Sequence, residues 1–175
     1  MNTCLSPPCL AVSTTDCQAD VAFVADSSRS ITELEWFMTK QFIIDTALGL
    51  KAANDKSRVS VVSFSTTVGG TVDSKATILT AACSVKPTTD VALDNTHTLA
   101  ELEAAIWAIP YRAGATDTSS ALMAINNMFT SPGSADVPKL GYVITDGQST
   151  INSVFTKATA DLLKNAGVTM FTIGK

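Results

Sequence analysis

Histidine is almost absent from this sequence. The chain of 175 residues carries one, His97, and no Cys-x-x-Cys pair. It therefore holds no zinc-binding set, and no imidazole stands ready between a nucleophile and a carboxylate. The Gly-x-Ser-x-Gly elbow and the Gly-rich phosphate loop ending in Gly-Lys-Ser/Thr are missing too. Motif support for a serine hydrolase or a nucleotide hydrolase goes with them. Charged residues are scarce at 16%, and the 12 Lys and Arg against 16 Asp and Glu leave a formal charge of −4. A mildly acidic domain is a poor match for a phosphate backbone, which argues against nucleic acid as a partner. No uninterrupted apolar stretch reaches the roughly 20 residues that a bilayer-spanning helix needs. The N-terminal Met1-Asn-Thr-Cys-Leu-Ser-Pro-Pro-Cys9 contains two prolines and no apolar run, so it does not read as a signal peptide. It reads as a mature fragment or an excised module with an added Met. No Asn-x-Ser/Thr sequon occurs.

What is present is a 46% hydrophobic content in a length suited to one domain with a genuine core. Four cysteines stand at 4, 9, 17 and 83. An even count, with three crowded near the N-terminus, reads as disulfides in a secreted protein rather than as a metal site. Residues 1–18 form a Cys- and Pro-rich leader without periodicity, and 19–175 form the domain.

Within the domain, short apolar runs alternate with helical spacing. Asp20–Ala25 reads as a buried strand ending in Asp26. From Ser30 to about Leu50 the spacing is helical, with Ile31, Leu34, Phe37, Met38, Phe42, Ile44 and Leu48 on one broad face, Trp36 and Ile43 off it, and Ser30 and Glu33 as the capping pair. Arg58–Phe64 is a second strand, and a third, at a sheet edge, is expected near Thr71–Val72 after the Gly69-Gly70 turn. Residues 74–97 read as a long loop. Leu99, Leu102, Ile106 and Ile109 mark a helix stopped at Pro110, and Thr116–Phe129 a further one. A strand at Leu140–Thr145 again ends in an aspartate, Asp146. A helix at Val154–Asn165 and a strand at Val168–Ile173 follow. Strands alternating with helices of 12–20 residues imply an α/β, doubly wound, mostly parallel sheet with helices on both faces. Ligands of such sheets bind beyond the C-terminal ends of the strands.

Three loops deliver oxygen to that edge. The first reads Asp26-Ser27-Ser28-Arg29-Ser30, the second contains Thr116-Asp117-Thr118, and the third begins at Asp146. Two carboxylates, three neutral hydroxyls and water suit a hard cation such as Mg²⁺, and no thiol or imidazole in the pattern invites a softer metal. Taken singly, Ser30 and Thr116 could be ordinary helix caps and the aspartates ordinary strand ends. The three together, in this order on this scaffold, favour a cation site.

The chain resembles the von Willebrand factor type A domain, also found as the integrin I domain and in matrix collagens, matrilins and apicomplexan adhesins. The likeness runs from Asp20 to Lys175. It is carried by Asp20-Val-Ala-Phe-Val-Ala-Asp-Ser-Ser-Arg-Ser-Ile31, Tyr111-Arg-Ala-Gly-Ala-Thr-Asp-Thr118 and Val137-Pro-Lys-Leu-Gly-Tyr-Val-Ile-Thr-Asp-Gly-Gln-Ser149. It implies a Rossmann-like fold with one antiparallel edge strand, and a metal-ion-dependent adhesion site (MIDAS) for Mg²⁺, Ca²⁺ or Mn²⁺. By the same likeness Ser28, Ser30 and Thr116 would touch the ion directly, while Asp26 and Asp146 would act mainly through water. Neutral hydroxyls would leave the cation under-neutralised and able to attract a partner's carboxylate.

The sequence departs from the family in three places. Ser27 and Arg29 fill positions that are usually glycine, and Asp117 stands where the family often has asparagine. Arg29 is either a clamp for an acidic ligand or a solvated loop cation. Asp117 is either a further ligand contact or an exposed charge at a helix N-terminus. The chain also ends at Lys175, where the family adds a last helix. That helix is expected to be missing from the chain as given, leaving part of one sheet face bare for a continuation of a longer chain or for a partner.

The function implied is an extracellular adhesion module that binds an acidic side chain of a protein ligand, collagen or another matrix protein among the candidates. The alternative is a structural matrix protein in which the ion only orders loops. An enzyme is not expected. Asp26, Asp117 or Asp146 could only nominally serve as the general base that a Mg²⁺-dependent hydrolase needs.

If the third strand is antiparallel, as the family suggests, its end and the Cys83 loop lie near the leader's point of entry. Cys17–Cys83 and Cys4–Cys9 are then the natural pairing among three possible ones. Tying down the leader would stabilise the fold by roughly 2–4 kcal/mol. Non-reducing peptide mapping is expected to recover a Cys17–Cys83 peptide. A free thiol at Cys83 would refute the pairing.

Overall fold

The computed structural model describes residues 18–65, 88–94, 96–130 and 137–174. The four cysteines, the Thr71–Val72 segment and Lys175 lie outside these residues. Five strands form one sheet: β1 (Asp20–Asp26), β2 (Arg58–Phe64), β3 (Thr88–Asp94), β4 (Lys139–Ile144) and β5 (Val168–Ile173). The order is β3-β2-β1-β4-β5, with β3 antiparallel to β2 and every other pair parallel. Helices α1 (Glu33–Ala53), α2 (Leu99–Trp107), α3 (Thr118–Phe129) and α4 (Ser153–Asn165) cover the sheet. This is the doubly wound, mostly parallel architecture that the alternation implied.

The central strand follows from its composition. Asp-Val-Ala-Phe-Val-Ala-Asp is buried at all seven positions because both faces are covered. Val21, Phe23 and Ala25 pack with Trp36, Ile43 and Ala47 of α1 and Leu102 and Ile106 of α2. Ala22 and Val24 turn the other way, toward Ala121, Leu122 and Ile125 of α3 and Leu163 of α4. Register holds an aromatic ladder together: Phe23 pairs with Tyr142, and Tyr142 with Phe171. Their rings stack at 5.3 and 4.9 Å. On the opposite face, a Cβ on Gly141 would stand 2.7 Å from Met170 Sδ, so the absent side chain lets β5 and α3 close over β4. At the N-terminal edge the guanidinium of Arg58 forks onto the buried carboxylate of Asp20 at 2.7 and 2.5 Å.

Three expectations are corrected. The antiparallel edge strand is Thr88–Asp94, inside the stretch read as a loop. Register shifts against Val59, Val61 and Val62 break its alternation, so the sequence shows no period of two. Helix α1 turns a different face inward. Trp36, Ile43, Ile44 and Ala47 are buried, whereas Leu34, Phe37, Met38 and Phe42 are exposed. Apolar residues surround this helix, so periodicity alone cannot choose its inner face. Its cap is Thr32 with Glu35, not Ser30 with Glu33. The Thr32 hydroxyl accepts from Glu35 N–H at 3.2 Å, and the Glu35 carboxylate accepts from Thr32 N–H at 2.8 Å. A turn from Ser28 to Ile31 buries Ile31 first and delays the helix by two residues.

Thr32→Ala is expected to lower unfolding free energy by about 1 kcal/mol in urea denaturation. Ser30→Ala should cost less than half of that in metal-free protein. The reverse ranking would return the cap to Ser30.

Candidate metal centre

Strand order reverses at β1, which has β2 on one side and β4 on the other. The crevice beyond the C-terminal ends of β1 and β4 is where such a sheet takes a ligand. Asp26 is the last residue of β1, and Asp146 lies two residues past β4.

The Asp26 carboxylate is buried and held from two directions. One oxygen accepts the Ser28 N–H at 2.8 Å, and the other accepts the Thr145 hydroxyl at 2.8 Å. The Ser28 and Ser30 hydroxyls are 3.0 Å apart, and Ser30 donates to Asp146 Oδ1 at 3.0 Å. Asp26, Ser28, Ser30 and Asp146 thus form one hydrogen-bonded chain, joined at its Asp26 end through the Ser28 N–H and beyond it through oxygens. Thr145 was missed by the sequence reading, and only its place before an aspartate at a strand end could have pointed to it.

The loop at 111–117 closes the third side. Its backbone bridges to the first loop between Ser28 and Gly114. Arg29 N–H donates to Gly114 O at 2.9 Å, and Ala113 N–H to Ser27 O at 2.8 Å. The Tyr111 hydroxyl donates to Ile31 O. Two residues beyond the bridge, Thr116 is buried and its backbone is latched by the loop after β4. Its N–H donates to the Thr150 hydroxyl at 3.1 Å, and its carbonyl accepts from Thr150 and Ile151 N–H at 2.9 and 3.0 Å. Ser149 adds its hydroxyl to the same carbonyl at 3.2 Å. Ser149 and Thr150 turn their hydroxyls onto the backbone of Thr116, a residue 33 and 34 positions away, so no local pattern announces them.

Asp117 does not join this rim. It is 3% exposed and caps α3, accepting from Ser120 N–H, the Ser119 and Ser120 hydroxyls and the Asn152 amide. The expected exposed helix-terminal charge is therefore a buried one with its lone pairs engaged, and Thr116 is not the helix cap. Arg29 is exposed, with its backbone fixed and its side chain in solvent.

The charge balance favours a cation. Among the described residues neither Asp26 nor Asp146 has a cationic partner. Burial above all raises the Asp26 carboxyl from its ordinary value. The Ser28 and Thr145 hydrogen bonds oppose this, and the Asp146 charge adds to it. No group of three His, Cys, Asp or Glu side chains suited to a metal occurs among the described residues. Two carboxylates linked by hydroxyls are an oxygen-only, weakly charged set, which fits a hard divalent ion that keeps some water. A cleft bordered by Asp26, Thr145 and Asp146 lies beside the two carboxylates.

Comparison with known proteins bears on the family and the fold. The sequence profile of the von Willebrand factor type A domain matches residues 20–175. The mouse collagen alpha-4(VI) chain is 30% identical over 174 residues, 97% of this chain and 6% of that one. Mouse matrilin-2 is 26% identical over 165 residues, 90% of this chain and 15% of that one. The chain thus spans a small part of these curated relatives. Among solved structures, proximal thread matrix protein 1 from the mussel byssus superposes with a TM-score of 0.72 at 24% identity, over 91% of this chain and 38% of that one. A form of that protein with a zinc-occupied MIDAS motif gives 0.70 at 25% identity, with the same coverage.

A raised carboxyl makes the fold favour the protonated form. In metal-free protein, stability is therefore expected to fall as pH rises from 3.8, the ordinary carboxylate value, through the raised native value. Asp26→Asn should lose this component. Urea unfolding at several pH values in chelator reads the difference between the two proteins, and a difference independent of pH would contradict it.

Proposed function

Because the chain belongs to the von Willebrand factor type A domain family, we propose that it is an extracellular adhesion module. It would bind an acidic protein ligand through a divalent ion held at the rim of Asp26, Ser28, Ser30, Thr116 and Asp146. The observation that carries this reading is the hydrogen-bonded chain from Asp26 through Ser28 and Ser30 to Asp146, whose two carboxylates have no cationic partner among the described residues.

The residues divide the work by charge and burial. Ser28, Ser30 and Thr116 offer neutral hydroxyls to the ion. Asp26 and Asp146 supply charge balance, and they orient hydroxyls and water from behind. Thr145 and the Ser28 N–H already fix the rotamer of Asp26. A bound ion supplies a coordination position for a partner's carboxylate. Arg29, beside that position and free in solvent, adds a cation that an acidic ligand can meet. No proton-transfer machinery is assigned to the rim, and the module is proposed as a non-enzyme. Collagen or another matrix protein is the kind of partner suggested by relatives such as a collagen VI chain and a matrilin.

A second reading is a structural matrix protein in which the ion only orders the loops. The likeness in fold to a thread matrix protein of mussel byssus favours it. Chelation separates the two. Capture of matrix proteins from an extract is expected to fall at least about tenfold with EDTA, with Asp26→Ala and with Thr116→Ala. Capture that survives EDTA would select the structural reading.

A further inference from the structure

We infer that Arg112 is a positioning residue for the metal rim, locking the loop that carries Thr116 onto the ends of β2 and β3. The inference rests on the metal-binding reading and adds a residue that does not touch the ion. Arg112 extends away from the rim. Its Nη2 donates to Asp90 Oδ1 at 3.1 Å, and its Nε donates to the Ser63 hydroxyl at 3.3 Å. The second oxygen of Asp90 accepts the Ser63 N–H at 2.9 Å. One carboxylate on the edge strand thus joins the end of β2 to the loop. Both side chains are largely shielded, at 20% exposure for Arg112 and 8% for Asp90. Screening by solvent is weak there, and a guanidinium fork holds direction as well as charge.

The next residue shows what this lock maintains. Ala113 has φ of 52°, a left-handed conformation that an alanine avoids. Such a residue persists where its surroundings over-determine it. Arg112 restrains it from one side. From the other, Gly114 N–H donates to the Ser65 hydroxyl at 2.6 Å, and Gly114 O accepts from Arg29. The kink at Ala113 turns the chain from the β2–β3 end to run beside Ser28, with Thr116 three residues on. Without the fork, Ala113 keeps only its own N–H bond to Ser27 O and the bonds at Gly114, its left-handed conformation is less firmly held, and the segment that carries Thr116 loosens.

The sign of the effect separates positioning from electrostatics. A cation near the rim repels a metal ion, so deleting Arg112 would strengthen metal binding if charge were its role. Positioning predicts weakening. Arg112→Ala would strand the buried charge of Asp90 and could unfold the domain. The test therefore uses the double variant Asp90→Asn, Arg112→Gln, which removes both charges and keeps hydrogen-bonding groups, together with Arg112→Lys, which keeps the charge and loses the fork. Mn²⁺ affinity of the full chain is measured by calorimetry. Amide exchange over residues 113–116 is measured in chelator, where no ion contributes.

The double variant is expected to bind Mn²⁺ about ten- to a hundredfold more weakly than the parent, with Arg112→Lys between them. Exchange at 113–116 should be faster in both variants. Folded variants with unchanged or tighter Mn²⁺ binding overturn the inference and leave the metal site standing. A parent protein that binds no Mn²⁺ removes the metal-binding reading and this inference with it.

Discussion

A negative charge buried at the end of the innermost strand governs this molecule. β1 is covered on both faces, so Asp26 emerges where water is largely excluded. Desolvation disfavours its ionised form, and no Lys or Arg among the described residues meets it. What surrounds it instead are dipoles: an N–H from the loop it begins, a hydroxyl from β4's end, and two further serines leading to a second carboxylate. Neutral dipoles steady a carboxylate without cancelling it, and the residual field attracts a cation. The proposed adhesion through an ion rests on this arrangement, with a partner's acid completing the neutralisation.

The rest of the edge holds that arrangement still. Hydroxyl ligands bind a metal weakly one at a time, so the cost of ordering them must be met by the fold beforehand. Thr116 is the clearest case. Its carbonyl is latched by the loop after β4, its loop is bridged to the Ser27–Arg29 backbone, and Gly114 is tied to the end of β2. The site is thus assembled from three chain segments whose mutual distances the sheet dictates. Arg112 extends the same logic to the edge strand, linking a strained alanine to an ion pair outside the rim.

Much of this was legible in residue order. Strand β1 announced itself by an apolar run between two aspartates, and α2, α3 and β5 by spacing, with Pro110 ending α2. The oxygen-bearing loops were visible because hydroxyls and acids recur just past strand ends. Legibility failed where a signal depends on partners far along the chain. Leu34, Phe37, Met38 and Phe42 looked like an inner stripe, yet Trp36, Ile43 and Ala47 face the sheet. A helix that is apolar nearly all round takes its orientation from what it meets. The Thr88–Asp94 strand was hidden by its own bulges. Asp117 read as either a ligand contact or an exposed charge at a helix N-terminus; it does stand at the start of α3, but buried, with its carboxylate consumed by that helix and by Asn152.

By itself, the order of residues determined the α/β alternation, the two strand-end aspartates and the hydroxyl-bearing loops, because each is a local property of composition and period. Tertiary structure alone decided which face of α1 is buried, which hydroxyls reach which carboxylates, and what holds Thr116. Those depend on contacts between residues separated by up to 119 positions, such as Thr145 with Asp26. No local pattern encodes such a separation. The parallel sheet does, because it brings the ends of β1 and β4 together as neighbours on one edge.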